Sequence, residues 1–204
     1  MMEYRQLTRE LAPARGLLYP LPGGSAMKDR RGFTLIEIMI ALAIVGIVGI
    51  MATTNFFSWQ RHYNAVGFQR EFLSLVNEAR TRSMGTSLQH HLRISLSDGS
   101  VTLQRWDTAL NLWNDVPGKS TKPTTGSGAG INDVVCTPAV AVPTLFALLF
   151  NPDGEVLVQT NTAGTTATAL TQADVHLSAT NVADRATIRL FGWTSKARLD
   201  NGWL

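Results

Sequence analysis

From Phe33 to Ala52 the chain reads FTLIEIMIALAIVGIVGIMA, an apolar run whose single ionisable side chain is Glu37. At 1.5 Å of rise per residue such a helix is about 30 Å long, the thickness of a bilayer's hydrocarbon core. Lys28, Arg30 and Arg31 stand directly before it. The excess of positive charge at that end keeps it cytoplasmic and sends the C-terminal part across the membrane. A secretory signal peptide has a similar outline, but its apolar core is shorter and lacks a carboxylate. A plain single-pass anchor leaves Glu37 unexplained, because a charge inside a membrane costs a few kcal/mol and marks function.

The stretch Arg30-Arg31-Gly32-Phe33-Thr34-Leu35-Ile36-Glu37 resembles the cleavage motif of type IV prepilins, a family that includes the pseudopilins of type II secretion. The resemblance implies cutting between Gly32 and Phe33 by a membrane prepilin peptidase, then N-methylation of the new Phe33 amine. Glycine offers a protease an unhindered backbone. Glu37, costly alone in lipid, can pair with the Phe33 ammonium of a neighbouring subunit, so the charge becomes a register mark between stacked helices. The alternative is that Glu37 snorkels to the surface. Met27 to Gly32 forms a complete short leader, and residues 1–26 lack helical or strand periodicity. Residues 1–32 therefore read as leader, with 1–26 expected to be an over-extended start.

The net charge of +3 comes entirely from that leader, which holds six basic and three acidic residues; the remainder has twelve of each. No general attraction to acidic partners survives its removal. Cys136 is the only cysteine, so it makes no intrachain disulfide and reads as a small, partly buried hydrophobe.

Beyond the membrane half, 33–57, the helix continues as an amphipathic half, 58–85. Phe68, Phe72, Leu75, Val76 and Ala79 recur at helical spacing, with charged residues between them. Gly85 marks the expected stop. The stretch FLSLVNEARTRSMGTSLQHHLRISLS, Phe72 to Ser97, resembles the GspH/FimT-type pseudopilins and minor pilins, where a helix ending in this way runs into a first strand. Many pilins carry a proline early in the helix where this chain has Thr54. Residues 86–204 then form a β-rich, periplasmic domain. His91–Ser97 and Ser100–Trp106 flank Asp98-Gly99, a two-residue hairpin signal. Residues 114–144, rich in Pro, Gly, Ser and Thr, read as a long mobile loop. Further strands are expected at Leu145–Phe150, Glu155–Thr160, Asp174–Thr180, Ala186–Phe191 and Lys196–Leu199. The class is α+β, a long N-terminal helix on an antiparallel sheet domain.

Few motifs carry chemistry. Gly118-Lys119-Ser120 suggests a phosphate loop, but Trp113 stands where that loop needs glycine. Adjacent His90 and His91 point to opposite faces of a strand, and His62 and His176 have no partner at ligand spacing, so no metal site is expected. Asn151-Pro152-Asp153-Gly154-Glu155 offers oxygens for calcium but reads as a hairpin turn. The tail sets Arg185, Arg189, Lys196 and Arg198 among Trp193 and Trp203, residue types that can grip a phosphate backbone and stack on bases. Some FimT-like proteins bind DNA through a C-terminal basic motif, which Gly192 to Arg198 resembles loosely. The alternative is a strand pair with basic outward side chains. The sequence predicts a structural subunit rather than an enzyme, without cofactor. Its expected partners are other pilins or pseudopilins in a filament, the prepilin peptidase and the inner membrane. The second reading is a DNA-binding minor pilin.

Overall fold

The computed structural model describes residues 32–203. The expected leader, apart from Gly32, and the expected over-extended start lie outside the described residues. The described chain falls into two units, one ending at Val45 and the other beginning at Gly46. The sheets belong to the second.

Helix α1 covers Leu35–Thr86. Its sequence contains no proline and is rich in Ala, Leu, Ile and Met, which lose little freedom in a helix or pack well against apolar surroundings. Gly85, the expected stop, is still helical; Ser87 takes the left-handed conformation past the helix end, with φ 56°. In the second unit Ala65, Phe68, Phe72, Leu75, Val76 and Ala79 are buried. Their spacing of three and four residues forms one stripe, the face anticipated from the sequence. Full burial of a Phe, Leu or Val contributes about 1.5–3 kcal/mol each.

That stripe packs with the inner faces of two antiparallel sheets. The strands are β1 His90–Ser95, β2 Val101–Asp107, β3 Leu112–Thr121, β4 Gly130–Thr137, β5 Leu145–Phe150, β6 Val156–Gln159, β7 Thr168–Ala169, β8 Gln172–Ser178, β9 Ala186–Phe191 and β10 Ala197–Asn201. One sheet has the order β3-β2-β1-β5-β6-β7 and the other β10-β9-β8-β4. Leu92 and Ile94 of β1 alternate into the core beside Phe146, Leu148 and Phe150 of β5. The fold is α+β, as expected.

Gly192 joins the sheets. Its N–H donates to the Thr171 carbonyl at 2.9 Å, and its own carbonyl accepts from Val156 of β6 at 2.7 Å.

The expected loop 114–144 is corrected by the structure, because most of β3 and all of β4 lie inside it. Both strands end their sheets, so each exposes polar side chains that mimic loop composition. Pro117 is tolerated because β3 is an edge strand. Inward, Ile131 and Cys136 of β4 join the core. From β3, Lys119 pairs with Glu78 of α1 at 2.9 Å and Thr121 donates to Glu71 at 2.7 Å.

Candidate functional site

At the start of α1 the backbone of Gly32 to Thr34 precedes the helix. The Glu37 N–H donates to the Thr34 carbonyl at 3.1 Å and to the Thr34 side-chain oxygen at 3.3 Å. Thr34 is thus the N-cap, satisfying one of the donors that every helix start leaves open. Glu37 sits in the first turn, where a carboxylate meets the positive end of the helix dipole. The pattern Thr34-Leu35-Ile36-Glu37 has capping-box spacing. That signal was available in the sequence beside the cleavage motif, and the structure makes its role explicit.

The Glu37 side chain is exposed, and no side chain among the described residues pairs with it. Around it Phe33, Leu35, Ile36, Ile38, Met39 and Ile40 are exposed as well, and so are the large apolar residues onward to Met51. Among the described residues α1 is the one helix long and apolar enough to cross a membrane. A carboxylate in such a surface calls for a positive partner once it enters lipid, because an unpaired charge there is expensive.

Residues 27–53 match the family model described as the prokaryotic N-terminal methylation motif. The chain carries a type IV prepilin-like signal. The match covers the Gly32–Phe33 junction and Glu37 together, and both it and the α+β architecture are consistent with a type IV pilin-like protein. No curated protein and no solved structure matches this chain.

Of the tail residues, Arg189 and Arg198 lie on the second sheet and are paired to carboxylates, while Arg185 and Lys196 lie just outside its strands. Arg189 of β9 makes two bonds to Asp174 of β8, at 3.0 and 3.3 Å. Those bonds hold the Arg189 pKa above its usual value. Arg198 of β10 donates to Asp200, and the Arg185 guanidinium lies 4.4 Å from the Trp203 ring centre. The Trp203 indole N–H donates to the Leu177 carbonyl. Lys196 and Trp193 are exposed in the β9–β10 turn. Strand register puts Asp133, Asp174 and Asp200 on the same outer face as Arg189 and Arg198. That face of the sheet is therefore mixed in charge rather than basic.

The histidines acquire partners that linear spacing could not show. Asp184 lies 2.7 Å from His62 and Asp133 lies 2.6 Å from His176. His91 is buried between Gln159, at 2.8 Å from Nδ1, and Gln104, which contacts Nε2. The Trp113 ring stacks on it at 3.7 Å. Burial pushes the His91 pKa down, against those two hydrogen bonds, and pushes His90 down too. Cys136 is buried and its thiol pKa is raised by that burial. Lys119, from the apparent phosphate loop, is taken up by Glu78. In the turn after β5 the Asp153 carboxylate accepts from the Glu155 N–H and Gly154 has φ +89°, so its oxygens and backbone close a hairpin.

Proposed function

We propose that this chain is a structural minor pilin or pseudopilin of a type II secretion system or type IV pilus. The peptidase frees Phe33 by cutting after Gly32, and the Phe33 amine is methylated. The first half of α1 stays in the inner membrane, with the β unit in the periplasm. Glu37 of one subunit pairs with the Phe33 ammonium of the next as subunits enter the filament. The observation that carries this reading is the methylation motif at residues 27–53, set on an exposed apolar helix whose one carboxylate has no partner among the described residues.

Mass spectrometry of the protein purified from its native membrane tests it. The expected N-terminus is a methylated Phe33, and Glu37→Ala is expected to be cleaved yet lost from sheared filaments. An uncut Gly32–Phe33 junction, or normal incorporation of the Glu37→Ala protein, would overturn it. The DNA-binding reading draws little support from the fold, since Arg189 and Arg198 are paired to carboxylates.

A further inference from the structure

Just past the apolar run, α1 turns an aromatic ridge to solvent. Phe56, Trp59 and Tyr63 follow one another at spacings of three and four residues, and Phe57 lies beside them. All four are more than half exposed. The Trp59 and Tyr63 rings are 4.4 Å apart, and Phe56 touches both Phe57 and Trp59 at 6.1 Å. An aqueous surface does not favour such a cluster. Trp and Tyr, apolar in body and polar at the tip, concentrate where hydrocarbon meets headgroups.

The β unit adds to the ridge at the same level of the helix. The short 3₁₀ turn Val182–Asp184 presents Val182 at 65% exposure. Two bonds hold this turn against α1, His62 to the Asp184 carboxylate at 2.7 Å and the Gln69 side chain to the Asp184 carbonyl. Between the turn and the helix lies an open cleft of about 420 Å³, lined by Trp59, Arg61, Thr180 and Asn181 among others. Arg61 is exposed there, while the carboxylate of Asp184, the acid of this cleft, is engaged by His62 at 2.7 Å. The cleft thus joins an apolar rim to an exposed cation and to the hydrogen-bonding groups of Thr180 and Asn181, with its one acid turned to His62, which suits a phospholipid headgroup.

We infer that this end of the β unit rests on the outer interfacial layer of the bilayer: Phe56, Phe57 and Trp59 reach the headgroup–acyl boundary, Tyr63 and Val182 lie against the headgroups, and Arg61 meets lipid phosphate. The occupant is lipid rather than a second copy because the ridge continues the exposed apolar surface that ends at Met51. At 1.5 Å per residue, the backbone of Phe56 to Tyr63 lies about 8–18 Å beyond Met51 along the helix; helical side chains lean toward the N-terminus, which brings the nearer rings toward a headgroup layer about 5–8 Å deep. This inference rests on the membrane reading of the first half of α1.

Spin labels on the full chain test it, with Cys136 changed to Ser, or to Ala if the serine variant does not fold. Labels are placed singly at Ile44→Cys, Val182→Cys and Leu110→Cys in vesicles of phosphatidylcholine with phosphatidylglycerol. Leu110 is exposed in the β2–β3 turn, and β2 meets Gln89 just beyond the far end of α1. Collision with oxygen reports lipid, and collision with a water-soluble nickel chelate reports water. The Val182 label is expected to meet nickel several-fold less than the Leu110 label, and Arg61→Glu is expected to raise its nickel access. Equal nickel access at Val182 and Leu110, with Ile44 still shielded, overturns the inference and leaves the anchor standing. A nickel-accessible Ile44 label overturns the anchor and the inference together. Spin–spin broadening confined to the Val182 label shows a second copy on this surface and also overturns it.

Discussion

Lys119 of β3 closes on Glu78 of α1 at 2.9 Å, and Arg82 holds the same carboxylate from one helical turn away. Burial pushes the Glu78 pKa up, but the two cations outweigh it and the pKa lies below its ordinary value of 4.5. The pair fastens an edge strand to the helix. Both side chains are partly solvated, so its worth is about 0.5–1 kcal/mol. Lys119→Ala is expected to lower the stability by that amount at low salt, seen as a lower urea midpoint with an unchanged slope. The folded state binds the proton less readily than the unfolded chain, so the contribution is complete above pH 4.5 and is lost as the pH falls through the depressed pKa. Parallel denaturation curves at pH 7 and pH 3 check this; the variant and parent should differ only at the higher pH.

His90 and His91 set a second pH dependence, of similar sign and higher range. Burial depresses both pKa values below 6.5, so the unfolded chain takes up protons that the folded one refuses. Stability is therefore full above about pH 6.5 and declines as the pH falls below it. Urea midpoints measured from pH 7.5 to pH 5 are expected to fall, and to fall less steeply in His91→Gln.

Gly192 cannot be enlarged without moving a strand. A Cβ there would stand 1.8 Å from the Leu170 carbonyl oxygen, and both backbone groups of Gly192 are committed to the join between the sheets. Gly192→Ala is expected to destabilise the domain by about 2–3 kcal/mol or more, seen as a lowered thermal midpoint.

Gly67 presents the opposite case. It lies within α1, and a Cβ there would meet nothing within 4 Å. Gly67→Ala is expected to stabilise the protein by up to about 1 kcal/mol. A raised urea midpoint with an unchanged slope would show it.

The readable parts of this molecule were those whose signal is local. The helix stripe from Phe68 to Ala79 follows from a 3.6-residue period, and β5 and β9 from short apolar runs. The Asp98-Gly99 turn is visible as turn chemistry, but the two-residue loop expected there is corrected to four, Leu96 to Gly99, because the last bond between the strands joins Ser95 and Ser100. β3 and β4 escaped because an edge strand with one solvated face carries the same polar residues as a loop. Only the arrival of Glu78 opposite Lys119, and of the core opposite Ile131, distinguishes the two.

The functional signals divide along the same line. Gly32, Phe33, Thr34 and Glu37 stand within six residues of one another, so their spacing along the chain already contains the heart of the methylation motif, the cap and the carboxylate in an apolar helix. The tail residues Arg185, Arg189 and Arg198 look alike in a linear text. Whether a guanidinium is free depends on Asp174, Asp200 and Trp203 reaching it across neighbouring strands. Such pairings are made by folding, because charge neutralisation requires contact within a few ångströms and strand order brings those groups together.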